Sequence, residues 1–151
     1  MPRPYQRKPR RPGPKLLGLD LGERRIGVAV SDDTGVIASP ERIIDLRRAT
    51  LGDVARLADE FHVDGIIVGM PKNLRGEEGH QARETRAMAA EIEALVSVPV
   101  IFWDERLSSQ IADQALAASG KSPRERRTQL DAIAAAVTLQ SYLDANPLKR
   151  H

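Results

Sequence analysis

The chain has 151 residues, of which 41% are hydrophobic and 29% charged, values that are ordinary for a single globular domain with a core of its own. It contains no cysteine, which excludes disulfides, thiolate nucleophiles and zinc–thiolate sites. No apolar run approaches the roughly 20 residues that a membrane-spanning helix needs, and the N-terminus lacks the apolar segment of a signal peptide. We therefore expect a cytoplasmic protein with no membrane partner.

The net charge of +2 is unevenly distributed along the chain. Residues 1–15 contain six of the 23 basic residues, five of the ten prolines and no acidic residue, so 17 basic residues face 21 acidic ones in the remainder. A basic, proline-rich segment buries little surface, and we predict a disordered tail over 1–14, a folded domain over 15–146 and a C-terminal tail over 147–151. The basic tail either has no function or strengthens binding to phosphate backbones in a salt-dependent way.

The first part of the domain is predicted to form three antiparallel strands. Two apolar runs, Lys15–Leu21 and Ile26–Ser31, are separated by a segment of hairpin length. Val36–Ser39, with Ile43 and Ile44 beyond Pro40, predicts a third strand, which either continues through the proline or is broken by it.

The second part alternates between helical and strand patterns. The predicted elements are a helix from Thr50 to Phe61, a strand Gly65–Val68, a helix Ala82–Val96, a strand Val98–Trp103, a helix from Ser108 or Ser109 to Ala118, and a final helix Thr128–Ala145. This order predicts an α/β domain with a five-stranded mixed sheet, in which three antiparallel strands are followed by two parallel strands, and with helices on both faces.

Three carboxylates in three sequence contexts suggest the chemistry. Asp20 ends the first strand, Glu105 follows the fifth strand, and Asp131 lies on the final helix. Carboxylates brought together repel each other unless cations lie among them, and clusters of oxygen ligands select hard ions such as Mg²⁺ or Mn²⁺. A pair of such ions is a common device for phosphodiester cleavage. The sequence therefore favours a metal-dependent nuclease site, with Asp20 expected to bridge two ions.

Each acid also has a purely structural interpretation. Asp20 could cap the first hairpin, and Asp131 could lie at a helix boundary, paired with Arg127 or Arg24. Asp104 and Glu105 point in opposite directions on an extended chain, so only one faces the site and Asp104 remains an alternative to Glu105.

The face of the final helix that meets the core is predicted to consist of every third or fourth residue. The predicted buried residues are Leu130, Ile133, Ala134, Val137 and Ser141. Asp131 then lies at the edge of that face.

Basic residues lie near all three acidic positions. Those that we interpret as phosphate-binding are Arg24, Arg25, Lys72, Arg75, Arg106, Lys121, Arg124, Arg126 and Arg127. Each run alone is typical of a solvated surface, but a nucleic-acid backbone needs such residues around an acidic, metal-loaded centre.

Four segments together resemble the YqgF/RuvX family. They are Asp20-Leu-Gly-Glu-Arg-Arg-Ile-Gly-Val-Ala, Gly69-Met-Pro with Gly76, Asp104-Glu-Arg-Leu-Ser-Ser, and Leu130-Asp-Ala-Ile-Ala-Ala, and the resemblance spans about residues 15–145. It implies a ribonuclease H-like fold, kinship with Holliday-junction resolvases, and a nuclease that matures the 5′ end of pre-16S ribosomal RNA.

The resemblance also implies that Asp20, Glu105 and Asp131 form the acidic triad. Related resolvases are expected to carry an acid at the fourth strand, whereas here that strand ends Val68-Gly-Met-Pro. Glu105 would then take its place.

Other functions compete with this interpretation. A resolvase acting on branched DNA would use the same chemistry, and a symmetric substrate would favour a homodimer. A non-catalytic module that binds RNA or protein is a further alternative. An Asp-x-Gly hairpin also opens actin-like ATPases and sugar kinases, but these need a second domain that 151 residues do not supply.

Overall fold

A computed structural model describes residues 11–71, 78–104, 120 and 123–147, with the side chains of 123–128 excluded. The strands are β1 (Leu16–Leu21), β2 (Arg25–Ser31), β3 (Ala38–Asp45), β4 (Gly65–Met70) and β5 (Val100–Asp104). The helices are α1 (Gly52–Glu60), α2 (His80–Leu95) and α3 (Pro123–Ala145). The predicted helix from Ser108 or Ser109 to Ala118 lies outside the described residues.

The five strands form one mixed sheet in the order β3-β2-β1-β4-β5. The pairs β1–β2 and β2–β3 are antiparallel, whereas β1–β4 and β4–β5 are parallel. The predicted fold class is therefore confirmed. Because β1 lies at the centre, its carboxyl end, where Asp20 is found, is flanked by strands on both sides.

Pro40 lies inside a continuous third strand, which is one of the two possibilities left open by the sequence. Val28 pairs with Arg42 and Ala29 pairs with Pro40, so Glu41 is an extra residue at a bulge. A proline is tolerated here because β3 is an edge strand, whose outer side needs no hydrogen-bond donor.

Alternation of side chains along the strands gives the sheet two packed faces. On one face, Leu17 and Leu19 of β1 pack with residues of α1 and α2 in the larger core cluster. On the other face, Leu16 of β1 and Ile67 of β4 pack against Ala135 and Leu139 of α3. Asp20 alternates with Leu19 and Leu21 and thus belongs to the α3 face.

The buried face of α3 differs from the predicted one. Ala134 is buried as expected, but Ser141 is exposed and Leu130, Ile133 and Val137 are only partly buried. Among the described side chains of α3, which begin at Gln129, the buried ones are mostly small: Ala132, Ala134, Ala135, Ala136 and Thr138, with Leu139 and Leu143. A helix that lies unusually close to a sheet needs small side chains at the contact, and a pattern of large apolar residues therefore misplaces its inner face.

The end of α1 contains a residue in the left-handed conformation. His62 has φ 51°, and its N–H and that of Val63 donate to the carbonyls of Asp59 and Ala58. These two bonds form the Schellman motif that commonly ends helices, in which the left-handed position is usually glycine. His62 therefore carries local backbone strain that glycine would not.

The described residues before β1 lie against the domain. The N–H of Gly13 donates to the carbonyl of Asp33, and the Arg11 guanidinium donates to the carbonyl of His62. The predicted tail up to residue 10 lies outside the described residues. No helix in the described part of the chain is long and apolar enough to cross a bilayer.

Candidate active site

The site is built on two glycines that let α3 approach the sheet. A Cβ added to Gly27 would lie 1.9 Å from the carbonyl oxygen of Asp131, and one added to Gly18 would lie 2.8 Å from Cβ of Leu139. Any side chain at Gly27 would therefore push the helix away at Asp131. The helix backbone instead rests directly on β2 at this position.

This contact brings Asp131 next to Asp20. Asp20 is paired across the β1–β2 ladder with Gly27, and the backbone of Asp131 lies on Gly27. Both acids thus meet on the α3 face, at the carboxyl end of β1. The structure therefore brings together two of the three acids predicted from sequence.

Burial raises the pKa of both carboxyl groups, and the charge of Asp131 adds to this effect at Asp20. Desolvation, and next the negative charge of Asp131, raise the pKa of Asp20 from 3.8 to about 7. Desolvation also raises the pKa of Asp131, although the Arg25 guanidinium opposes this effect. An additional positive charge beside the pair would therefore favour ionisation of Asp20.

Arg25 provides part of that charge. Its Nε lies 3.2 Å from Oδ2 of Asp131, with 46% of the Arg25 side chain and 27% of the Asp131 side chain exposed. The sequence interpretation of Asp131 as an ion-paired residue named Arg127 or Arg24 as the partner. Among the residues whose side chains are described, the partner is Arg25 and not Arg24, while the Arg127 side chain lies outside the described residues. Arg25 is favoured because side chains alternate along a strand, so Arg25 and Gly27 lie on the same face of β2. Arg24 instead lies in the hairpin turn, which is closed by a 3.0 Å hydrogen bond from the Gly22 N–H to the Arg25 carbonyl.

The carboxyl end of β5 lies two strands away from β1. Asp104 is paired with Met70 and follows Phe102 on the α1–α2 face of the sheet, where Val100 and Phe102 pack against the larger core cluster. Ile101 and Trp103 belong to the α3 face. Strand alternation therefore puts the Asp104 side chain on the face opposite Asp20.

The remaining predicted site residues are not described. Glu105, Arg106, Lys72, Arg75 and Lys121 lie outside the described residues, and so do the side chains of Arg124, Arg126 and Arg127. Arg24 and Arg25 are described and exposed, at the hairpin beside Asp20.

The two acids that are described fit a divalent cation. Among residues 11–71, 78–104, 120 and 129–147, no hydrogen bond donor or ion-pair partner is found for the Asp20 carboxylate, and Arg25 is the only cation that meets Asp131. These same residues contain no group of three possible metal ligands. Two repelling carboxylates in a partly desolvated site supply oxygen ligands of the kind that Mg²⁺ and Mn²⁺ prefer.

Sequence reasoning interprets the glycines of the Asp20–Gly27 motif, Gly27 among them, as allowing a close backbone approach, but it missed Gly18 and did not identify α3 as the partner. Gly18 and Gly27 alternate with large apolar residues on strands that are otherwise β-branched or leucine-rich. Glycine inside a strand is a recognised sign of a close backbone approach. That signal was available in the sequence, but the partner of the approach was not.

Comparison with known proteins identifies relatives that cover nearly the whole domain. The family model described as RuvX, Holliday junction resolvase, matches residues 14–145. A protein of Geobacillus kaustophilus is 45% identical over 135 residues, which cover 87% of this chain and 98% of that protein. One from Syntrophus aciditrophicus is 41% identical over 133 residues, covering 87% of this chain and 89% of that protein. Both are named as candidate pre-16S rRNA nucleases.

Solved structures agree on the fold. RuvC of Thermus thermophilus in complex with a Holliday junction matches with a TM-score of 0.56 at 17% identity, covering 92% of this chain and all of that one. The fowlpox virus resolvase bound to junction DNA matches with a TM-score of 0.53 at 16% identity, covering 89% of this chain and 99% of that one. At these identities the similarity shows a shared, ribonuclease H-like architecture and no more.

The position of the acids and the span of the matches lead to one assignment. The family match runs through β1, the glycines beneath α3 and Asp131, so it includes the part of the site that the structure describes. The chain therefore belongs to the RuvX family of Holliday junction resolvases, and it is a nuclease that hydrolyses phosphodiester bonds.

Proposed function

We propose that this nuclease cleaves structured nucleic acid at a divalent metal site formed by Asp20, Glu105 and Asp131, and that its physiological reaction is maturation of the 5′ end of pre-16S ribosomal RNA. The choice of substrate is supported by the names of relatives that are 40–45% identical over most of the chain. Such a reaction would take place in the cytoplasm.

One observation carries the metal dependence. Asp20 and Asp131 lie together on the α3 face, and the pKa of Asp20 is raised to about 7 by burial and by the charge of Asp131. Such an arrangement is unfavourable for a resting protein and favourable for binding a cation. Mg²⁺ or Mn²⁺ ions, when bound, would supply Lewis-acid activation of water and charge stabilisation of the leaving oxygen.

The third ligand is proposed to be Glu105 rather than Asp104. Asp104 ends β5 and follows Trp103 of the α3 face, so strand alternation places it on the face opposite Asp20. Glu105 lies outside the described residues, and its assignment rests on the sequence, in which only one of two neighbouring acids on an extended chain can face the site. This geometry favours Glu105 as the acid that joins Asp20 and Asp131.

The residues of the chain would divide the remaining tasks. The three carboxylates would fix the ions and thereby the position of the scissile phosphate. Arg24, exposed at the hairpin turn, would bind phosphates beside the site. Lys72, Arg75, Arg106, Lys121, Arg124, Arg126 and Arg127 are proposed for the same task on the basis of sequence.

A second substrate is branched DNA, in which case the protein would act as a resolvase. The observation that favours it is the family description itself, together with a fold shared with two junction resolvases. A homodimer would suit the symmetry of a four-way junction.

A direct cleavage comparison tests both proposals. A pre-16S RNA fragment carrying its 5′ leader and a four-way DNA junction are incubated with the protein in Mg²⁺, Mn²⁺ or EDTA. We expect metal-dependent cleavage of the RNA at the mature 5′ end. Junction cleavage in preference to RNA would assign the resolvase activity instead, and specific binding without cleavage in any metal would favour a non-catalytic module.

Matched variants connect the activity to the site. Asp20→Asn should lower cleavage at least about 100-fold, because even outer-shell partners of a catalytic metal contribute about 10–100-fold. Asp33→Asn is the control, since Asp33 is exposed and pairs with Lys15 at the opposite end of β1. Wild-type cleavage by Asp20→Asn would refute the catalytic assignment.

A further inference from the structure

We propose that, in the metal-free protein, the Arg25 guanidinium is ion-paired with the Asp131 carboxylate oxygen that would bind a divalent cation. The cation must displace Arg25 in order to bind, so Arg25 lowers the affinity of the site for metal. This inference rests on the proposed metal site. It assigns Arg25 a role in setting the metal affinity of the site, in addition to the phosphate contact predicted from sequence.

The geometry supports competition rather than joint binding. Nε of Arg25 lies 3.2 Å from Oδ2 of Asp131. A Mg²⁺ or Mn²⁺ ion bound to that oxygen would lie about 2.1 Å from it. The guanidinium nitrogen and the ion would then be at most about 5 Å apart, and like charges at this separation repel each other appreciably even near a protein surface.

The backbone makes the ion pair a built feature of the fold. Arg25 is the first residue of β2, and Gly27 follows it on the same face. Because the Asp131 backbone lies on Gly27, the Arg25 side chain, on the same face of β2, reaches the Asp131 carboxylate. Asp20 meets Asp131 from the neighbouring strand, so Asp131 lies between a repelling carboxylate and an attracting guanidinium.

The exposure of Arg25 allows it to leave. About half of its side chain, 46%, is accessible to solvent, whereas its backbone is held in the sheet. Exposed ion pairs contribute little to stability, so releasing the side chain into water requires little energy. The contact therefore offsets part of the Asp131 charge in the absence of metal and is weak enough to give way to a divalent ion.

Metal binding, measured without any substrate, tests the inference. Mn²⁺ binding to the full chain is titrated at pH 8 by electron paramagnetic resonance, because proton competition at the carboxylates is smaller at this pH. We expect Arg25→Gln to bind Mn²⁺ about two- to tenfold more tightly than the wild type, from the lost ion pair and the lost repulsion. Arg24→Gln is the matched control, with the same charge change in the adjacent hairpin turn, and should bind Mn²⁺ as the wild type does.

The outcomes separate this inference from the proposed function. If Asp131→Asn abolishes Mn²⁺ binding but Arg25→Gln binds as the wild type does, the role of Arg25 is refuted and the metal site stands. Equal tightening by Arg24→Gln and Arg25→Gln would also refute it, since a general electrostatic effect would then suffice. If the wild type and Asp131→Asn bind Mn²⁺ equally, or neither binds, both proposals fail.

Thermal denaturation provides a second readout that a merely structural role would not reproduce. Without metal, Arg25→Gln should melt at a lower temperature than the wild type, because the Asp20–Asp131 repulsion is no longer offset. With saturating Mn²⁺, its gain in melting temperature should exceed that of the wild type. Equal gains would contradict competition. If Arg25→Gln does not fold, Arg25→Met removes the charge while keeping an apolar stem, and it should also bind Mn²⁺ more tightly than the wild type; wild-type affinity for this variant would refute the inference.

Discussion

Replacing Asp20 by asparagine should stabilise the metal-free protein while removing its activity. Asp20 has its pKa raised from 3.8 to about 7, with desolvation as the largest cause and the charge of Asp131 as the second. The folded state therefore holds the Asp20 proton more tightly than the unfolded state. Between about pH 4 and pH 7 the folded protein binds more protons, so its free energy of unfolding falls as the pH rises through this window.

The size of the effect follows from the shift. About three pKa units correspond to about 4 kcal/mol, the upper limit of the stability that ionised Asp20 removes at pH 7 and above. Asparagine has the same shape and no charge, but its amide must still find hydrogen-bond partners in a partly buried site. We therefore expect Asp20→Asn to raise the free energy of unfolding by about 1–4 kcal/mol at pH 8, and by little at pH 4.

Urea denaturation in EDTA at a series of pH values measures this difference. The signal is the fluorescence of the single tryptophan, Trp103, which packs edge-on against Tyr142 and donates a 3.0 Å hydrogen bond to Ser141. Both partners belong to α3, so the emission reports whether α3 is docked on the sheet. The same helix carries Asp131.

A control with the same chemical change should move in the opposite direction. Asp32 accepts hydrogen bonds from the Thr34 hydroxyl and the backbone N–H groups of Ile37 and Val36, which lower its pKa to about 2. Asp32→Asn should therefore destabilise the protein by about 1 kcal/mol above pH 4. If Asp20→Asn gave no gain at pH 8, or the same gain at pH 4 and pH 8, the argument from raised proton affinity would be refuted.

Three other perturbations test separate parts of the structure. Gly27→Ala should destabilise the protein by about 3 kcal/mol and weaken Mn²⁺ binding, because its Cβ would collide with the backbone of Asp131. Its control is Gly79→Ala, which has open space around it and should change stability by less than about 0.5 kcal/mol in the same urea assay. His62→Gly should raise stability by about 1 kcal/mol by relieving the left-handed backbone at the end of α1, and a lower melting temperature would contradict this. Deleting residues 1–10 should weaken nucleic-acid binding and reduce the salt slope by about 0.7–0.9 per lost phosphate contact. Single-turnover cleavage should be unchanged by the deletion, and slower cleavage would place the tail in the site.

Much of the sheet follows from local sequence, because its strands are short apolar runs bounded by turn residues. β1, β2 and β4 were predicted to within one or two residues of their observed bounds. Whether β3 is continuous could not be decided from local sequence, because a proline often ends a strand. Whether Pro40 is tolerated depends on β3 being at the edge, which is a property of the assembled sheet.

The arrangement of the site could be predicted only in part. The proximity of Asp20 and Asp131 was anticipated from their places at a strand end and on the final helix. The ion pair of Asp131 with Arg25 was not, because choosing among Arg24, Arg25 and Arg127 requires the register of the hairpin and the contact of α3 with β2. Tertiary packing decides both.

The close packing that brings the acids together also creates their electrostatic problem. Because α3 rests on Gly27 without an intervening side chain, Asp131 meets Asp20 in a partly desolvated space, where repulsion between carboxylates is poorly screened. A larger residue at position 27 would relieve that repulsion by moving the helix, and it would separate the ligands of the proposed metal. The stability lost at Asp20 and the affinity expected for a divalent ion thus have the same structural cause. A variant that stabilises the metal-free protein by reducing the Asp20–Asp131 repulsion should, for that reason, bind metal less tightly. Arg25→Gln should show the opposite combination, with a less stable metal-free protein and tighter Mn²⁺ binding.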